Sequence, residues 1–113
     1  MGYVPTVIEI EILDYLISEE KTMILSSASI ADMESYCLHD PQVESYSNTQ
    51  IRNAIKSLLV WGLVAYGVSV GRTNRYYVTR AGQEYLAQAM NMSLKDLLSQ
   101  KAKERKERNK MEG

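Results

Sequence analysis

The segment from Ser47 to Gly62 constrains the fold most, because its residue pattern predicts both of its ends and its buried face. Ser47 and Gln50 are spaced as a capping box, in which each side chain satisfies a free backbone N–H at a helix start. Gly62 stands where a helix end favours a residue that tolerates positive φ. Between them, apolar residues recur at helical spacing, at Ile51, Ala54, Ile55, Leu58 and Leu59. The pattern predicts an amphipathic helix, the third of the chain.

The opposite side of this helix is rich in hydrogen-bond donors. At about 100° per residue, it carries Thr49, Arg52, Asn53 and Lys56. No acidic residue occurs between Ser47 and Glu84, whereas exposed helices usually mix Glu with Lys to form i,i+4 pairs. This face therefore favours an anionic partner over a merely solvated surface.

Two shorter helices are predicted upstream. Thr6 and Glu9 form a second capping box and begin a helix that we place at Thr6–Ser18. The run Thr22–Leu25 suggests a short strand, and Ser29-x-x-Asp32 starts a second helix that ends near Cys37. Residues 38–46 contain a proline and several turn residues, and we expect a loop there.

A hairpin and two further helices are predicted downstream. Apolar residues alternate from Val64 to Val70, a turn follows at Gly71–Asn74, and the run RYYVT alternates again. Thr79 and Ser93 are each placed to cap a helix, the fourth and the fifth.

This order of elements, with the runs NTQIRNAIKSLLVWGLV and GRTNRYYVTRAGQEYL, resembles a winged helix-turn-helix domain. The second run is similar to the wing of PadR-like and MarR-like transcriptional regulators. In those proteins aromatic residues end the second wing strand and a Thr-x-x-Gly step enters the next helix; here these are Tyr76, Tyr77, Thr79 and Gly82. The resemblance implies an α+β fold, a three-helix core with a two-stranded β-hairpin wing, plus a C-terminal helix.

Charge is distributed unevenly along the chain. Residues 1–46 hold one basic and nine acidic side chains, whereas residues 47–92 hold five basic and one acidic. Residues 93–113 hold seven basic and four acidic. Such asymmetry points to an anion-binding surface in the second half of the chain.

Several classes of function are disfavoured by what the sequence contains. One cysteine and one histidine cannot build an internal disulfide framework or a four-ligand zinc site. We find no nucleophile–base set and no phosphate-cradling glycine loop, so we expect no enzyme and no cofactor. The absence of a signal peptide pattern and of a long apolar run favours a cytoplasmic protein with no membrane partner.

The last part of the chain is expected to differ from the rest. We predict a winged-helix DNA-binding domain at residues 1–92 and a helical extension at residues 93–113. Leu94, Leu97 and Leu98 form a short apolar stripe that would serve a homodimer, the usual state of regulators of this kind. From Lys101 onward almost every residue is charged, and we expect a solvated, partly disordered tail.

The function that these patterns favour is sequence-specific binding of double-stranded DNA by a small transcriptional regulator. Arg and Asn suit guanine and adenine edges in the major groove, and a helix N-terminus suits phosphate. The hairpin tip would lie on the backbone or in the minor groove, where arginine is favoured. The candidate DNA-binding residues are Ser47, Asn48, Thr49, Arg52, Asn53, Lys56, Arg72, Thr73, Asn74 and Arg75.

Two alternatives stay open at this point. Winged helices also serve as protein–protein adaptors, in which case the acidic first half, including Glu9, Glu11 and Asp14, would be the working surface. A DNA-binding protein for the replication or maintenance of a mobile element would use the same helix and wing as a regulator.

Overall fold

The computed structural model describes residues 6–37, 47–69 and 71–112. The loop expected at 38–46 lies outside these residues. The elements, in chain order, are α1 (Val7–Ser18), α2 (Ile30–Cys37), α3 (Asn48–Val60), β1 (Val64–Tyr66), β2 (Tyr76–Val78), α4 (Arg80–Ala89) and α5 (Leu94–Glu112). The predicted order of helices and hairpin is confirmed.

Helix α1 is the centre of the packing. Its capping box is formed as predicted, since Glu9 N donates to Thr6 Oγ1 and Thr6 N donates to the Glu9 carboxylate. The helix contacts α3, α4 and α5. Its residues Leu13, Leu16 and Ile17 are at most 1% exposed, so α1 contributes the middle of the hydrophobic core.

Helix α3 also has the predicted ends and the predicted buried face. Gln50 N donates to Ser47 Oγ, and Ser47 N donates to Gln50 Oε1. Gly62 adopts a φ of 71°, in the left-handed region that favours glycine. The side chains of Ile51, Ala54, Ile55 and Leu58 are buried. This burial orients the polar face of α3 outward.

Strands β1 and β2 form an antiparallel pair in which Val64 lies opposite Val78 and Tyr66 lies opposite Tyr76. A third segment adds a single residue to the sheet: Ala28 N donates to Tyr76 O, and Tyr76 N donates to Ala28 O, both at 2.8 Å. The base of the wing is therefore tied to the segment that precedes α2.

The prediction of a short strand at Thr22–Leu25 is wrong. The chain turns back on itself there, because Ser26 N donates to Met23 O and Ser26 Oγ donates to Glu20 O. Leu25 projects into solvent with 87% of its surface exposed. The pairing with the sheet comes three residues later, at Ala28.

The start of α4 packs closely on the connection that leaves α3. Thr79 Oγ1 accepts from Gly82 N and donates to Gly62 O. A Cβ at Gly82 would overlap the carbonyl oxygen of Leu63 and lie 2.7 Å from a methyl group of Val78. The Thr-x-x-Gly step thus allows α4 to lie directly against this backbone.

Helix α5 docks on α1, so the expectation of a solvated tail from Lys101 onward is wrong. Leu97 is fully buried, and Lys101 is only 6% exposed and forms an ion pair with Asp14. Arg105 donates to the carbonyl oxygen of Ser18 at 2.8 Å, at the end of α1 where backbone acceptors are free. These polar contacts supply the docking face, which hydrophobic periodicity does not reveal.

Two more ion pairs extend this contact to the end of α1. Arg105 lies 2.9 Å from a Glu20 carboxylate oxygen, and Arg108 lies 2.8 Å from that of Glu19. Basic residues of the last part of the chain thus neutralise acidic residues of the first. The division into residues 1–92 and 93–113 stays a prediction.

Candidate nucleic-acid interface

The polar face of α3 is open to solvent along its length. The exposed residues on or beside it are Ser47, Asn48, Thr49, Arg52, Asn53 and Lys56. The Ser47 hydroxyl oxygen already accepts the Gln50 N–H at 3.2 Å, so its first role is to begin the helix. The buried stripe on the other side of α3 orients this face toward solvent, and the side chains on the face supply hydrogen-bond donors.

Asn48 and Arg52 are joined one turn apart on this face. Arg52 Nε donates to Asn48 Oδ1 at 2.5 Å. The two terminal nitrogens of Arg52 carry four further N–H donors beyond this bond. Within the described part of the chain, no carboxylate forms an ion pair with Arg52.

The hairpin tip is built around a glycine with positive φ. Gly71 adopts a φ of 63°, which turns the chain after the first strand of the wing. Arg72, Thr73 and Asn74 follow, and all three are exposed. These side chains project from the tip beside the start of α3.

Arg75 has a different environment from the rest of the tip. Its Nη2 donates to the carbonyl oxygen of Ser27 at 2.5 Å, and it lies 3.8 Å from a carboxylate oxygen of Asp32. Its guanidinium therefore ties the wing to the segment that enters α2. The structure brings this candidate to the same region but engages it in intramolecular contacts.

A cavity of about 350 Å³ separates α3 from the wing. Five candidate residues line it, namely Asn48, Arg52, Arg72, Thr73 and Asn74. We refer to this cavity and its lining residues as the helix–wing groove. Among the residues that the structure describes, its wall contains two arginines and no acidic residue.

Sequence reasoning missed one wall of the helix–wing groove. Ser29, Ile30 and Ala31, at the start of α2, line it as well. Ser29 and Asp32 cap each other's backbone N–H groups, and the N–H groups of Ile30 and Ala31, which have no partner within the helix, add donors to this wall. The Ser29-x-x-Asp32 pattern revealed the start of α2, but its position beside the wing depends on the tertiary fold.

Tyr76 is a buried residue in the lining of the helix–wing groove. Its side chain is 6% exposed, and its ring centroid lies 5.4 Å from that of Tyr66. Burial, and next the neighbouring Tyr66, raise the pKa of the Tyr76 hydroxyl, although its hydrogen bond with Asn74 and the nearby Arg52 oppose this. The groove thus has a neutral, hydrogen-bonding floor under its two positive charges.

The remaining candidates lie away from the helix–wing groove. Asn53 lines a second cavity, of about 280 Å³, together with Thr6 and Glu9 of the α1 start. Thr49 and Lys56 are exposed on α3 and line neither of these two cavities. The polar face of α3 therefore has one side toward the wing and another toward α1.

The overall arrangement has a counterpart among solved structures. TubR from Bacillus megaterium pBM400 superposes with a TM-score of 0.62 at 20% sequence identity, over 75% of this chain and 86% of that chain. The chain has a winged-helix fold. The predicted α+β class, five helices with a two-stranded antiparallel hairpin, is thereby confirmed. The finer resemblance to PadR-like or MarR-like regulators stays a prediction.

Other comparisons and searches gave no match. No family model and no curated protein sequence matches the chain. In the described part of the chain, no helix is both long and apolar enough to cross a membrane. Among the same residues, no group of three His, Cys, Asp or Glu side chains is placed to hold a metal ion.

Proposed function

We propose that this chain binds double-stranded DNA sequence-specifically and acts as a small transcriptional regulator in the cytoplasm. Helix α3 enters the major groove, and the wing lies along the backbone or in the minor groove. The observation that carries the proposal is the helix–wing groove, where Arg52 and Arg72 share one cavity, and the described residues of its lining include no acidic side chain. A positively charged concave surface of this kind suits a polyanion.

The candidate residues of the groove and of the polar face of α3 divide between positioning the DNA and reading it. Arg72 and the N–H groups of Ile30 and Ala31 are placed for phosphate oxygens, which carry no sequence information. Arg52 and Asn53 stand on α3 and are the candidates for base edges, since their side chains match guanine and adenine. Lys56, further along α3, suits either backbone or base.

The adaptor alternative receives less support, because its expected working surface is engaged within the chain. Glu9 is buried in the capping box, and Asp14 pairs with Lys101. Glu19 and Glu20, at the end of α1, pair with basic residues of α5. Each of these four acidic groups therefore already has a partner within the chain.

A second candidate function keeps DNA as the ligand. The fold likeness to TubR from Bacillus megaterium pBM400 favours a protein for the replication or maintenance of a mobile element. Both candidates require the same helix–wing groove, so they differ in the DNA site and its genetic context. Identification of the bound DNA sequence distinguishes them.

A homodimer through the C-terminal helix is part of the proposal. Leu97 is buried against its own chain and Leu94 packs on the same core, whereas Leu98 is 39% exposed. Leu98 is thus the member of the predicted apolar stripe that a second copy would cover. Light scattering after size-exclusion chromatography tests this, with Leu98→Glu expected to give the monomer mass; a monomeric wild type would contradict it.

The DNA-binding proposal is tested by fluorescence anisotropy on a pool of random duplexes at two salt concentrations. We compare the wild type with Arg52→Ala/Arg72→Ala. The matched control is Arg80→Ala/Lys95→Ala, which removes the same charge from exposed positions outside the groove. Phosphate contacts release counterions, so we expect salt-sensitive wild-type binding and a slope of log K against log[salt] reduced by about one in the groove variant, through the loss of Arg72.

The control variant separates a specific groove from general charge. Equal losses in the two double variants would mean that net charge, and not the helix–wing groove, attracts DNA. No wild-type binding at low salt would contradict DNA binding altogether. Arg75 is left unchanged in both double variants because its guanidinium donates to the carbonyl oxygen of Ser27 and its loss would disturb the wing.

A further inference from the structure

We propose that Asn48 is a positioning residue that orients the Arg52 guanidinium toward one guanine. This inference rests on the proposed DNA-binding function and adds its base specificity. Asn48 itself then contacts neither the base nor the phosphate that the sequence suggested for it. Its task is to hold the side chain that reads the base.

The geometry on α3 carries the inference. Arg52 Nε donates to Asn48 Oδ1 at 2.5 Å, which fixes the plane of the guanidinium from its inner edge. With Nε engaged, the two terminal nitrogens present a pair of parallel N–H groups at the outer end. Guanine offers two acceptors, O6 and N7, on its major-groove edge, and a forked donor matches them in bidentate fashion.

The chemical nature of the partner matters as well. An amide oxygen accepts the Nε–H without cancelling the positive charge, whereas a carboxylate in that place would form an ion pair. Within the described residues, Arg52 forms no ion pair with a carboxylate, and its side-chain hydrogen bond goes to the neutral amide of Asn48. Arg52 therefore keeps its attraction for DNA while losing rotational freedom before it binds.

The positions of Asn48 and Arg52 in the helix–wing groove also support a guanidinium that is presented to a base edge. Asn48 and Arg52 both line the helix–wing groove, with Arg72 and Asn74 on the wing side. Asn48 is the first residue of α3, and Arg52 lies one turn further along the same face. The fork is thus presented from the N-terminal part of the recognition helix, the part that contacts base edges in helix-turn-helix proteins.

The expected consequence is a preference for guanine at one position of the bound sequence. A good bidentate pair discriminates against the wrong base by about tenfold to a hundredfold. Without its partner, Arg52 samples many rotamers and contacts phosphates and bases alike. We expect the discrimination of Asn48→Ala to fall to about threefold or less, with only a small loss of affinity for unselected DNA.

The experiment begins with selection of sites from a random duplex pool by the wild-type protein. Affinities are then measured for the selected duplex, for duplexes with each guanine replaced by adenine, and for duplexes with 7-deazaguanine, which lacks the N7 acceptor. Three variants are compared, Asn48→Ala, Asn48→Asp and Arg52→Lys, after circular dichroism has confirmed that each is folded.

Each variant has its own expected result. Arg52→Lys keeps the charge without the fork, so it should bind DNA in a salt-dependent way but lose the guanine preference. Asn48→Asp can still accept from Nε, so it should retain the preference while binding all sequences more weakly, because it adds a negative charge beside DNA. Asn48→Ala should lose the preference and the sensitivity to 7-deazaguanine.

The outcomes distinguish this inference from the function on which it rests. Wild-type binding without any guanine preference would overturn the inference and leave DNA binding intact. An Asn48→Ala variant that loses affinity equally for all duplexes would overturn it too, since Asn48 would then be a phosphate contact. No wild-type binding to any duplex would overturn the proposed function itself, and this inference with it.

Discussion

The guanidinium of Arg75 donates to the carbonyl oxygen of Ser27 at 2.5 Å, across 48 positions of sequence. This bond joins the second strand of the wing to the segment that enters α2, beside the Ala28–Tyr76 bridge. Arg75 also lies 3.8 Å from Asp32, the residue that completes the Ser29 cap of α2. One side chain thus couples two walls of the helix–wing groove.

We therefore expect Arg75→Ala to lower the free energy of unfolding by about 1–2 kcal/mol, because it leaves a partly buried carbonyl group without its partner. Arg72→Ala, on the exposed tip, should change it by less than about 0.5 kcal/mol. Urea denaturation followed by circular dichroism measures both. Equal stabilities of the two variants would contradict a structural role for Arg75.

Gly82→Ala should be among the most destabilising single changes in this chain. Its Cβ would overlap Leu63 O and crowd Val78, so α4 must move away from the core, at a cost of about 3 kcal/mol or more. Gly62→Ala is the matched control, since its Cβ meets open space and its cost is the left-handed strain of about 1 kcal/mol. Thermal unfolding of the two variants gives the comparison. A smaller loss at Gly82 than at Gly62 would mean that α4 does not need this close approach.

The Lys101–Asp14 ion pair should stabilise the docking of α5 on α1. A double-mutant cycle with Lys101→Met and Asp14→Asn should give a coupling energy of about 1–2 kcal/mol, because the ammonium group is largely buried. Lys103→Met is the control on the exposed side of α5, and it should be neutral to within about 0.5 kcal/mol. A coupling energy near zero would show that α5 docks through Leu97 and its apolar neighbours alone.

Two groups should make the protein less stable at alkaline pH. Burial by itself lowers the pKa of Lys101. The hydrogen bonds and charge interactions that Lys101 makes with Asp14 and Glu104 outweigh burial, so the pKa of Lys101 is raised above its ordinary value. The pKa of Tyr76 is raised chiefly by burial. For both groups the folded pKa lies above the unfolded one, so their contribution is complete below about pH 10 and is lost as pH rises through the folded values.

Urea denaturation between pH 8 and pH 11 measures this dependence. The wild type should lose stability relative to Tyr76→Phe as pH rises past about 10, because the unfolded tyrosine ionises first. The same comparison with Lys101→Met should show the same sign. A difference between wild type and Tyr76→Phe that does not change over this range would contradict the role of Tyr76.

The sequence by itself determined where α1 and α3 begin and where α3 ends. The capping boxes at Thr6 and Ser47, and the positive φ of Gly62, involve residues no more than a few positions apart. Backbone N–H groups and short side chains satisfy one another locally, so the pattern of residues is sufficient to place them. The buried stripe of α3 follows from the same local geometry.

Only the tertiary structure decided how the interface is assembled. The start of α2 joins the helix–wing groove, Arg75 turns inward to Ser27, and Lys101 docks on Asp14, all across dozens of residues. Periodicity detects apolar faces, so it assigned the polar end of α5 to solvent and missed an ion-paired surface. The charge asymmetry was visible in the sequence, but folding uses part of it internally: the basic end of the chain neutralises the acidic end of α1, while Arg52 and Arg72 stay exposed.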